Sequence, residues 1–184
     1  MAQTPSNMLP LGTKAPDFSL LDTLSGQTMN LRDMKGDNGT VIMFICNHCP
    51  FVKHINLEIS NMAKDYVDSG VKFIAISSND VENYPQDGPD LMKENAKSEG
   101  YIFPYLYDAS QEVAKAYEAA CTPDFYLFDD QLELVYRGQL DDSRPGNGVP
   151  VTGNDLRLAI DSLLNNQSVS TSQKPSIGCN IKWK

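Results

Sequence analysis

A chain of 184 residues has the length of one domain of about 100–200 residues, and at 41% apolar and 21% charged residues it can build a core of ordinary globular composition. Its 24 acidic against 15 basic side chains leave a formal charge of −9, the wrong sign for nucleic acid or an anionic membrane surface, so neither is expected as a partner. The longest purely apolar run, Val41 to Cys46, falls far short of the roughly 20 residues that span a bilayer, and Met1 to Pro10 has neither a basic flank nor an apolar stretch, so a cytoplasmic protein without a secretory signal is expected.

In chain order, Gly12 to Phe18 reads as an irregular, proline-marked entry, and Thr28 to Leu31 as a short edge strand. Thr40 to Ile45 is a continuous apolar run, as expected for a strand buried on both faces. From Pro50 the period becomes helical, with Phe51, Ile55, Ile59, Met62 and Tyr66 on one face and Gly70 placed to terminate the helix. Val71 to Ser77 is a second buried strand, which predicts a right-handed strand–helix–strand unit. A loop from Ser78 to Asp90 leads to a short helix through Asn95 and Ala96, a strand over Pro104 to Tyr107, and a helix over Ser110 to Ala119 capped by Ser110. Asp124 to Phe128 and Leu132 to Arg137 predict an antiparallel hairpin. A Gly- and Pro-rich loop and a last amphipathic helix through Leu156, Ile160, Leu163 and Leu164 close the domain. Together these elements predict an α/β fold with a mixed sheet over residues 1–166, followed by a tail, 167–184, that carries Cys179 and the one Trp. The Ser-, Thr- and Gln-rich start of that tail is expected to be solvated, while Ile181 and Trp183 favour docking of its end.

Four cysteines are too few for a disulfide-built scaffold, so their spacing carries the information. Cys46 and Cys49 form a C-x-x-C where the first buried strand gives way to its helix. Unpaired amides and the positive end of the helix dipole stabilise a thiolate there. Cys46 is expected just before the first turn and Cys49 within it, with His48 between them as a tuning group that adds charge or a hydrogen bond. A thiolate with a second thiol two residues away supports disulfide exchange, one sulfur attacking and the other resolving. Without a second C-x-x-C, a zinc site is disfavoured, and no metal or cofactor is expected. Asp87, Asp90, Asp129, Asp130, Asp141 and Asp142 fall in loops and turns, where solvated carboxylates are the expectation.

Gly12-Thr-Lys-Ala-Pro-Asp-Phe18, Cys46-Asn-His-Cys-Pro50 and Cys121-Thr-Pro-Asp-Phe125 together resemble the AhpC/TSA-like redoxin branch of the thioredoxin superfamily. Ser78-Asn-Asp-Val-Glu-Asn-Tyr-Pro85, Tyr136-Arg-Gly138, Asp141-Asp-Ser-Arg-Pro145 and Gly178-Cys-Asn-Ile-Lys-Trp-Lys184 resemble an uncharacterised bacterial, C-x-x-C-containing group within it. The resemblance implies a thioredoxin-like fold with a redoxin-type N-terminal extension and insert, thiol redox activity with an antioxidant or redox-homeostasis role, and a protein disulfide or thiol as partner. Cys46 matches the nucleophile and Cys49 the resolving thiol. Thr122-Pro123 matches the cis-proline loop that offers backbone hydrogen bonds to an extended peptide substrate. Two positions depart from the pattern: Ile45 stands where thioredoxins carry Trp, and Thr40 where they bury an Asp, which leaves the resolving thiol's proton acceptor unassigned.

A second alignment starts from Cys49-Pro50, which resembles the Cys-Pro of a peroxidatic site acting on hydroperoxides. Cys46 and Ile42 then occupy the positions where peroxiredoxins carry Thr or Ser and Pro, and Arg137 and Arg144 are the arginines available to support a peroxide. Cys121 and Cys179 are candidate accessory thiols, each also readable as a buried core residue. A non-catalytic binding module with a relic dithiol is the third reading.

Overall fold

The computed structural model describes residues 3–184. Its architecture is set by strand β4 (Gly39–Phe44), buried at every position. β4 pairs in parallel with β5 (Val71–Ser77) and antiparallel with β8 (Asp124–Phe128). Successive side chains of a strand face opposite ways, so Val41 and Met43 enter one apolar layer, while Ile42 and Phe44 enter the other. The first layer is covered by α2 (Pro50–Asp65), α3 (Pro89–Ser98) and α5 (Asn154–Leu164), through residues such as Ile55, Ile59, Met92 and Ile160. The second layer holds Phe18, Leu31, Met34, Tyr117, Tyr126 and Phe128 beneath α1 (Leu31–Met34) and α4 (Glu112–Ala116).

With β2 (Ser19–Asp22), β3 (Thr28–Asn30), β6 (Tyr105–Tyr107) and β9 (Leu134–Gly138), the seven-stranded mixed sheet runs β3-β2-β6-β5-β4-β8-β9. The expected strand–helix–strand unit and hairpin are both present, the hairpin with a register irregularity at Leu127/Phe128. A second, three-stranded sheet was not predicted. It joins β1 (Gln3–Pro5), β10 (Ile177–Asn180) and β7 (Cys121–Thr122) in that order, all antiparallel.

Two local expectations are corrected. The helix predicted over Ser110 to Ala119 is shorter, because Gln111 has φ +65° before it and Glu118 has φ +52° after it. Its free amides are shared: Glu112 N donates to Ser110 Oγ at 3.3 Å, as a Ser110 cap predicts, and Ala114 N donates to the Asp108 carboxylate at 3.0 Å. The loop carboxylates also divide. Asp141 is buried and accepts from the amides of Ser143, Thr152 and Gly153 at 2.7–2.8 Å, which folds the loop ahead of α5.

The end of the chain is docked. Ser6 N donates to Ser176 O, Ile181 N to Ala120 O and Asp80 N to Lys182 O, all at 2.8–3.1 Å, and Ile181 is buried while Trp183 stays 44% exposed. Gly178 lies so close to β7 that a Cβ there would collide with the Thr122 carbonyl oxygen. Gly178→Ala must lift the strand or shift the Thr122 backbone. It is expected to cost about 1–3 kcal/mol in urea denaturation and to speed alkylation of the cysteines beneath.

Candidate functional site

Cys46 follows the carboxyl end of β4, and the loop after β5 meets it, so two neighbouring parallel strands deliver the site at their carboxyl ends. A separate apolar cleft of about 270 Å³ lies at the other end of the sheet, against Met34, Val71, Phe73 and Pro104, and no cysteine lines it.

The helix begins at Pro50, as its periodicity predicts, but Cys49, expected within the first turn, lies one step before it. Pro50 takes the first helical position, which needs no amide donor, so Cys49 is the N-cap and Cys46 lies outside the first turn. The thiol that gains from the helix start is therefore Cys49. It is held down at about 5: Cys46 donates to its sulfur, Cys179 donates from both thiol and amide, and the Val52 amide adds to them, together outweighing burial. The Cys46 thiol is pushed well above its ordinary range, by that donation to Cys49, by burial and by the negative charge of Asp87. In this conformation the thiolate expected at the C-x-x-C is therefore favoured on Cys49, while Cys46, which matches the nucleophile, stays protonated.

All four cysteines are buried thiols without a disulfide among them. Cys49 Sγ lies 2.8 Å from Cys179 Sγ and 3.2 Å from the Thr122 carbonyl oxygen, to which the neutral thiol donates. Cys46 Sγ is 3.5 Å from Thr122 Oγ1. Thr122-Pro123 is a cis peptide, and the loop it forms stands directly on both sulfurs of the C-x-x-C. Cys121 turns the other way, its thiol toward the Pro123 carbonyl at 3.6 Å, and burial beside Asp124 pushes it far up. Burial likewise lifts Cys179 to about 12.

Asp87, expected to be solvated, is fully buried and organises the loop. Its carboxylate accepts from Asn47 N at 2.9 Å, His48 N at 3.2 Å, His48 Nδ1 at 2.6 Å and Asn79 Nδ2 at 2.9 Å. The Nδ1 proton of His48 is therefore committed to Asp87, while Cys46 Sγ lies 4.0 Å from the same nitrogen. The ring stacks on Tyr84 at 5.5 Å between centroids. Cys46, His48 and Asp87 offer ligand atoms within 4.8 Å of one another, the one such group among the described residues, but a cation there would have to replace the His48–Asp87 hydrogen bond. Asp124, opening β8, is another carboxylate that spacing did not single out; burial pushes it up to about 7.

Arg137 sits on β9 with its guanidinium on Leu9 O and Gln173 Oε1, and Arg144 bonds Asp141 O, Ser143 O and Gln139 Oε1, so the hydrogen bonds of both are made away from Cys46 and Cys49. His54 pairs with Ser143 at 2.7 Å.

A mixed sheet with helices on both faces, a C-x-x-C between strand and helix and a cis-proline loop over its sulfurs define a thioredoxin-like protein. Residues 11–137 match the model of the AhpC/TSA family, and the chain belongs to that family. It is 27% identical over 124 residues to the thiol-disulfide oxidoreductase ResA of Halalkalibacterium halodurans, a match covering 67% of this chain and 65% of the relative, just under two thirds of its length. A crystal structure of an uncharacterized conserved protein from Geobacillus kaustophilus is 60% identical, with TM-score 0.98 over 100% of this chain and 97% of that one. The thioredoxin domain of a Bacteroides vulgatus thiol-disulfide oxidoreductase shares the fold at 20% identity, with TM-score 0.59 over 70% of this chain and 88% of the other.

With Cys49 held near 5, the reduced protein is expected to carry one thiolate at pH 7, and its ultraviolet thiolate absorbance should titrate with a midpoint at about 5. Cys49→Ser should abolish that step, and Cys46→Ala, which removes a donor, should move it upward. The folded value lies below the unfolded value of about 8.5, so the stabilisation is complete above the latter and lost as pH falls through the former.

Proposed function

We propose that the protein is a thiol–disulfide oxidoreductase whose Cys46 and Cys49 cycle between dithiol and disulfide against a partner protein's disulfide. The observation that carries this reading is the contact of Thr122, at the cis-proline loop, with both sulfurs at a helix N-cap. Cys46, beside the partly exposed His48, forms the mixed disulfide and passes its proton to Cys49. The Cys49 sulfur then attacks Cys46 and gives that proton to the departing partner sulfur; the partner sulfur displaced in the first step takes its proton from water, so the partner leaves as two thiols. Backbone groups at Thr122 and Pro123, paired with the C-terminal strand in this structure, orient the partner when that strand lifts from them, and the His48–Asp87 pair fixes the loop that carries Cys46. The family and the ResA likeness support thiol redox chemistry; the reading extends it to a redox-homeostasis role in the cytoplasm.

One observation favours a second reading. The acidic thiol is Cys49, followed by Pro50, which suits a hydroperoxide-reducing cysteine recycled through Cys46. The two readings part in one assay. Reduction of a peptide disulfide should fall to background in both Cys46→Ser and Cys49→Ser, with a Cys46–Cys49 disulfide mapped in the oxidised wild type. Hydroperoxide consumption that, with excess small-molecule dithiol standing in for Cys46, survives Cys46→Ser and dies with Cys49→Ser would instead establish the peroxidase.

A further inference from the structure

The strand that ends the chain lies where a peptide partner would pair. β10 runs antiparallel to β7, with Cys179 opposite Thr122 and Asn180 opposite Cys121, the geometry by which an extended ligand adds to an open strand edge. Its approach leaves no room for a side chain at Gly178. The strand is fastened on both sides of Cys179. Before it, Ser176 Oγ donates to the Pro123 carbonyl at 2.6 Å. Beyond it, Lys182 N donates to Asn79 Oδ1 at 2.8 Å, Gln111 Nε2 donates to Lys182 O at 2.8 Å, and Lys184 N donates to Gln111 Oε1 at 3.0 Å. Asn79 also donates to Asp87, so one side chain ties the strand to the carboxylate that holds the Cys46 loop.

We propose that β10 is a built-in peptide ligand of this site and that Cys179 is a third redox thiol, which attacks Cys49 in the Cys46–Cys49 disulfide. The step forms the Cys49–Cys179 bond and breaks the Cys46–Cys49 bond. Cys179 is oxidised, Cys46 is reduced, and the proton given up by Cys179 is taken by the emerging Cys46 sulfur. No external oxidant enters, because the starting disulfide comes from the partner's disulfide in the exchange proposed above, on which this step rests. Its result is to move the disulfide off Cys46 and onto the C-terminal strand, leaving Cys46 reduced. The sulfurs need to close from 2.8 Å to the disulfide length of about 2.05 Å, with the backbone pairing already in place. Cys121 is not the accepting thiol, since its sulfur is turned to Pro123 O.

The test uses the full-length chain, oxidised with glutathione disulfide, acid-quenched, alkylated and mapped by non-reducing peptide mass spectrometry. Wild type should contain both Cys46–Cys49 and Cys49–Cys179. Cys46→Ser should convert more than half of its molecules to Cys49–Cys179, unchanged when Cys121→Ser is added, and Cys179→Ser should contain Cys46–Cys49 alone. A Cys46→Ser protein that stops as a glutathione adduct on Cys49 with Cys179 alkylatable, or that pairs Cys49 with Cys121, overturns the third thiol while leaving the dithiol reading intact. A wild type that never closes Cys46–Cys49 overturns the dithiol reading and the relay with it. Far-ultraviolet circular dichroism of each variant separates lost chemistry from lost fold.

Discussion

Where β4 ends and α2 has not yet begun, the chain presents amide groups that neither strand nor helix can pair, and burial forbids leaving them open. Asp87 takes two of them, at Asn47 and His48, and adds the His48 ring and Asn79 to the same carboxylate. A fully buried charge of this kind is costly unless several donors share it. The arrangement therefore locks the loop after β5 onto the loop after β4. His48 is aimed by it, Cys46 feels its negative charge, and Asn79 passes its position on to Lys182. The site is thus organised from beneath by a carboxylate with no catalytic bond of its own to make.

A second constraint comes from Pro50. A proline at the first helical position sets the helix start and hands the N-cap to Cys49, so the donors converge on the inner thiol of the pair. Three sulfurs then share a buried site, where one negative charge is spread over the donors of the other two. Ionising one makes the others into donors, which is why Cys49 is lowered while Cys46 and Cys179 are raised. The cluster behaves as a single acid with three possible seats for the proton vacancy, and loop and strand geometry decide which seat is used.

Much of this is legible in the amino-acid sequence. The apolar run at Thr40 to Ile45, the change of period at Pro50 and the C-x-x-C between them fixed the sheet centre, the covering helix and the location of the chemistry. What stayed hidden was non-local. Ile177 to Asn180 carries no alternating pattern and follows a Ser- and Gln-rich stretch. Its partners, Gln3 to Pro5 and Cys121 to Thr122, lie far away in sequence, so nothing local marks it as a strand. Asp87 looked like a turn residue beside Gly88 and Pro89, because a loop aspartate that faces water and one that faces inward are spelled alike. The one signal available is its company: Ser78 to Pro85 and Gly178 to Lys184 both belong to the resemblance, although neither adjoins Cys46 and Cys49 in sequence.

Trp183 gives the docked end of the chain an optical consequence. It is the one tryptophan in the protein, it is 44% exposed, and it sits on the terminal segment while the core is lined by tyrosine and phenylalanine. Lys182, its neighbour, lies over the Tyr84 ring on which His48 stacks. Tryptophan emission from this molecule is therefore a report on one short seam and its surroundings, and circular dichroism a report on the sheet and helices. Where the two signals change together, terminal strand and body form one cooperative unit; where emission changes first, the seam opens as a unit of its own, with the three sulfurs uncovered while the fold still stands.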